Sequence, residues 1–313
     1  MGSLDGRRMS ALCLLALLAS PNAVARTECT VVDLMPTFWQ SIQGTDAPAR
    51  LRATLVEAHP DLYNHDFVDV PAAVEWESIV LQDRSYVQSR ASEVRAVESY
   101  LSANVPNLMT QFQEAFSDFK CDFPFYIAPS FGRMDAAAAF VNGQNRIIFA
   151  PDVIPRFHEL PDLKILIDHE TFHVFHHEVT NAYGASSEAE PTILEALWSE
   201  GLATFVSWRM NPGASLDKAL LQPGIPEAAN RHLASIAKDL LAHLDEKDSA
   251  SFHRYFVAGK QREGDPPRAG YYVGALIAQK LAARHTLQQL AHLNGPGLRW
   301  MVADSLQELA SAR

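Results

Sequence analysis

The chain has 313 residues, 26 basic and 37 acidic side chains and a net charge of −11. That balance argues against nucleic acid and anionic membrane surfaces as partners, and the length suffices for one large domain or a domain with a helical annex.

Residues 1–25 read as a secretory signal: Arg7 and Arg8, the apolar run MSALCLLALLA, then Ala23-Val24-Ala25 as a cleavage site. The run is too short to span a bilayer, and no other stretch is long and apolar enough. An exported protein, periplasmic or secreted, is expected. Removal of Asp5, Arg7 and Arg8 leaves a charge of −12. Two cysteines then remain, Cys29 and Cys121. They either form a disulfide or stay apart as buried thiols, and sequence alone does not choose.

Residues 26–120 read as a helical N-terminal region. Apolar residues near a 3.6 period fill most of 48–118, with Pro48, Pro60, Pro71 and Pro106 as punctuation. A break is therefore expected between SYLSAN and Pro106. Residues 121–313 read as the part that carries the chemistry. There FPFYIAPS forms a short strand, and two apolar runs around Asn142-Gly143 form a hairpin. A helix opened by Pro161 and Asp162 follows, LPDLKILIDHETFHVFHHEV, then a polar loop, then a second helix, PTILEALWSEGLATFVSWRM, ending at Asn211-Pro212-Gly213. Helices return over most of 215–245 and from Tyr271. The fold class expected is α+β, predominantly helical, with a small sheet before the helix that bears the histidines.

That helix carries His169-Glu170-Thr171-Phe172-His173. Positions i and i+4 share a helix face, so both imidazoles can reach one ion. Zinc lowers the pKa of its water to about 7, and Glu170 stands close enough to take the proton. The H-E-x-x-H pattern arises by chance in only about 3 chains in 100 of this composition. A catalytic zinc site needs a third protein ligand. Glu200, in LWSEGLATF, is the choice, 27 positions after His173 and far enough along for the backbone to turn back.

Together, H-E-x-x-H and the later W-S-E-G-L-A resemble the gluzincin metallopeptidases, including M1-type aminopeptidases and small secreted zinc proteases of that clan. The resemblance covers roughly residues 123–210 and a stretch near 271. It implies one zinc per chain held by His169, His173 and Glu200, with Glu170 as general base, and a peptide or protein as substrate. It also implies a substrate strand along the hairpin at 137–150, which could equally be an ordinary hairpin. Tyr271 or Tyr272 would meet the oxyanion, though either could be a core aromatic; His253 and Arg254 are weaker candidates. The departures are a longer His-to-Glu spacing, Ser199 where Asn is common, and no G-A-M-E-N segment. Metzincins are excluded, because His176 and Val179 stand where Gly and a third His are needed. A non-catalytic zinc-containing peptide-binding module of the same fold is the alternative.

The remaining polar residues have simpler readings. Thr192-x-x-Glu195 is a capping box. Glu188 and Glu190 read as solvated, and Asp168 as solvated or as a support behind His169; His176 and His177 read as polar residues at a helix end, though either could line the cleft. The loop 258–270 is either a lid or an idle connection.

Overall fold

The aromatic, β-branched stretch after Cys121 becomes the centre of a four-stranded sheet in a computed structural model that describes residues 29–64, 67–71, 73–180, 191–247, 249–257 and 266–311. The expected signal segment, the loop with Glu188 and Glu190, and residues 258–265 lie outside the described residues. The strands are β1 (Thr30–Asp33), β2 (Pro124–Ile127), β3 (Ala136–Val141) and β4 (Gln144–Phe149), in the order β1-β2-β4-β3. β1, β2 and β4 run parallel, and β3 returns antiparallel to β4. Phe125, Ile127, Ile147, Ile148 and Phe149 are buried, as parallel central strands covered on both faces must be. Asn142 and Gly143 both take positive φ, 53° and 77°, which is the tight turn a two-residue hairpin requires. β3 is left at the edge of the sheet.

β1 was not expected. Cys29 and Cys121 are joined in a disulfide, Cα to Cα 5.0 Å, just ahead of the two strands that pair in parallel.

The helices are α1 (Met35–Ser41), α2 (Ala47–Leu51, running on into a π turn), α3 (Ala73–Ser89), α4 (Ala91–Ala115), α5 (Leu163–Thr180), α6 (Ile193–Met210), α7 (Leu216–Ala219), α8 (Ile225–Asn230), α9 (Leu233–Ala242), α10 (Ser249–Phe256), α11 (Ala269–Leu281), α12 (Leu287–Ala291) and α13 (Gly295–Ser311). The break expected at Pro106 is absent, and α4 runs straight through it. Pro106 and Ser102 are both exposed, so water can satisfy the carbonyl that the proline leaves without a donor. The interruption falls instead at Arg90, between α3 and α4.

α6 begins where the capping box places it, with Thr192 accepting from the Glu195 amide and Glu195 from that of Thr192. It is buried on nearly every side, which marks a central helix. A Cβ at Gly201 would lie 2.3 Å from the Gly274 backbone, and one at Gly274 2.3 Å from the Leu197 carbonyl. α6 and α11 thus cross with their backbones in contact. One cluster of buried side chains extends from Leu34 to Leu306. Among the described residues no helix is long and apolar enough to cross a membrane.

Candidate metal centre

His169 and His173 lie one turn apart on α5, and Glu200 meets them from α6. The His169 and His173 Nε2 atoms are 3.1 Å apart. Glu200 Oε2 is 3.5 Å from the first and 3.4 Å from the second. Three ligands at about 2.05 Å around tetrahedral zinc stand about 3.3 Å from one another, so the triangle has the size zinc requires. Two imidazoles and a carboxylate are also a donor set zinc takes. Among the described residues this is the single group of three or more such side chains able to share an ion.

The surroundings tune each group. Burial holds His169 down to about 4. Burial opposes a cation at His173 too, but there the Glu200 carboxylate prevails and raises the pKa. Burial opposes charge on Glu200 in turn, and the two histidines overcome it and hold its carboxyl well below the usual range. Ser199 Oγ lies 3.2 Å from His173 Nδ1. With Ser199 accepting from Nδ1–H, Nε2 is left unprotonated and aimed at the other two ligands. Glu170 sits in the same cleft. Burial pushes its carboxyl up to about 7, with His173 pulling it back and the Glu200 charge adding to the rise. A carboxyl titrating there can accept a proton near neutral pH and give it back.

The cleft is a cavity of about 590 Å³. Its walls include the metal-site residues, the start of β3 at Ala136–Ala138, and Arg133, Arg268 and Tyr271. The Tyr271 ring lies parallel to that of His169, with centroids 6.3 Å apart. Burial, with the Glu200 charge, raises the Tyr271 pKa, so its hydroxyl stays protonated. The Gly201–Gly274 crossing explains the placement: Glu200 precedes one glycine, and Tyr271 lies one turn before the other.

Other residues singled out by sequence lie elsewhere. The Tyr272 hydroxyl donates to Asn230 Oδ1 at 2.9 Å, away from the cleft lining. Arg254 pairs with Asp239 at 2.7 Å, and His253 is exposed. His176 is not a solvated residue at a helix end but is buried against Phe172, ring centroids 5.5 Å apart. His177 packs on Phe140. Asp168 is likewise buried rather than solvated, with one of its carboxylate oxygens held by Lys164 Nζ at 2.6 Å and by Asn211 at 2.7 Å. Ser199 and Arg268 escaped the sequence reading. Ser199 had one signal, its position beside Glu200.

Fold and site together define a mainly helical α+β protein with a His-His-Glu group able to hold a metal ion beside a sheet edge. Residues 105–295 match a family model described as Predicted Zn-dependent protease (DUF2268), and the chain belongs to that family. No curated protein and no solved structure matches it.

Proposed function

We propose that the protein is an exported zinc-dependent peptidase of gluzincin type, with residues 121–313 carrying the chemistry. The observation that carries this reading is the ligand triangle of 3.1, 3.4 and 3.5 Å with the Glu170 carboxyl in the same cleft. His169, His173 and Glu200 would hold the ion. When bound, zinc would polarise a peptide carbonyl and make water acidic enough to lose a proton near neutral pH. Glu170 takes that proton and returns it to the leaving amine. Tyr271, protonated and in the cleft, donates to the oxygen that gains charge. The β3 edge at Ala136–Ala138 offers main-chain partners to an extended peptide.

Elemental analysis of the purified protein should find about one zinc per chain, and Glu200→Ala should lose it. Glu170→Gln should keep the metal while hydrolysis of a mixed peptide pool, read by mass spectrometry, falls by about 10²–10⁴-fold. Undiminished hydrolysis by that variant, or a wild-type protein that takes up no zinc, would overturn the reading.

A further inference from the structure

Two arginines line the cleft, and neither is neutralised there. Arg133, in the turn before β3, is exposed, and its guanidinium makes no ion pair or hydrogen bond among the described residues. Arg268 stands at the entrance to α11, half-buried, with its guanidinium 4.0 Å above the Tyr271 ring. Its charge is felt at His169, Glu200 and Asp135. Both of those acids are committed elsewhere. Glu200 faces the two histidines, and Asp135 lies 2.6 Å from His158 Nε2. Arg268 therefore has no carboxylate partner among the described residues.

The Arg268 guanidinium also interacts with the Tyr271 hydroxyl; a guanidinium has five N–H groups, and the spacing of those that remain matches the two oxygens of a carboxylate. Arg268 also holds a left-handed φ of 57°, which disfavours any residue with a Cβ. Strained backbone of this kind clusters where ligands are gripped. The formal charges of Glu170 and Glu200 would balance a divalent ion. Asp135 is in the lining too, so the two arginines would then leave the cleft one surplus positive charge in a protein whose net charge is −11.

We propose that Arg268, assisted by Arg133, forms a subsite for a carboxylate of the peptide, so that the cleft selects peptides presenting one beside the bond to be cut. The substrate class rests on the peptidase reading; the subsite itself is a binding property. The carboxylate has two sources, the C-terminus of the peptide or the side group of an Asp or Glu within it.

Four dye-labelled hexapeptide pools separate them: C-terminal acid or amide, crossed with two Glu or two Gln at otherwise randomised positions. Binding is read by fluorescence anisotropy on the full-length, zinc-loaded Glu170→Gln protein. Pools with the recognised carboxylate should bind about tenfold tighter than the amidated Gln pool, the strength of a charge-assisted pair. A preference that follows the terminus assigns the C-terminal carboxylate, and one that follows Glu assigns the acidic residue. Arg268→Gln should erase the preference, Arg268→Lys should keep part of it, and Arg133→Gln, at an exposed position, should weaken it several-fold. Equal affinity for all four pools, no binding of any, or a preference that survives in folded Arg268→Gln would overturn the proposal. Preference without hydrolysis by wild type would instead sink the peptidase reading and leave the subsite standing. Equal hydrolysis of all pools would do the reverse.

Discussion

His173 is held from behind by Ser199 as well as from the front by Glu200. Losing that hydrogen bond frees the ring to rotate and to take the other tautomer. Ser199→Ala should therefore weaken zinc binding by about 10–100-fold in a competition titration against a chelator, with the melting temperature little changed. An unaltered zinc affinity would mean that Ser199 only fills space. At this scale the sequence is legible where chemistry depends on local spacing. His169, Glu170 and His173 need only a helix to come together, whereas Glu200 needs its surrounding motif. Tyr271 and Tyr272 are not separable in sequence, since neighbours on a helix differ by about 100° and only the packing of α11 decides which faces the cleft. Ser199 shows there only by its place beside Glu200, because a serine gains a role from what the fold sets opposite it.

α6 and α11 meet through two glycines, and that contact fixes the distance between Glu200 and Tyr271. A methyl group at Gly274 would collide with the backbone of α6, which has no rotamer to yield. Gly274→Ala should cost about 3 kcal/mol or more, read as a drop in denaturation midpoint, and should lower zinc retention as the helices separate. A stable variant with full zinc content would show that the crossing can relax. The order strand, hairpin, histidine helix and glutamate helix is legible from periodicity and turn residues. β1 is not, being only four residues long, with a partner that arrives more than 90 positions later. Pro106 misleads for a related reason: whether a proline breaks a helix depends on which side of it meets water.

Across the molecule, α3 is tied to the loops around the sheet by two buried acids. Asp152 accepts from the amides of Ser130 and Gly132, while Asp83 lies 3.1 Å from Arg156, whose guanidinium stacks on Tyr86 at 4.0 Å. One cation shared in this way does not balance two buried carboxylates. Burial and the charge of Asp152 push Asp83 up to about 8 against the pull of Arg156, and burial raises Asp152 to about 6. A carboxyl that keeps its proton in the folded protein after the unfolded state has lost it contributes stability that is full below about pH 4 and lost as pH rises towards 8. The melting temperature of wild type should therefore fall more steeply between pH 5 and 8 than that of Asp83→Asn. Parallel curves for the two proteins would remove Asp83 from the account. The bond between Cys29 and Cys121 has a topological consequence of its own. It closes a covalent ring around everything from α1 to α4, so a single cut at any peptide bond inside that ring opens the loop without dividing the molecule, and the two pieces part only under a reductant.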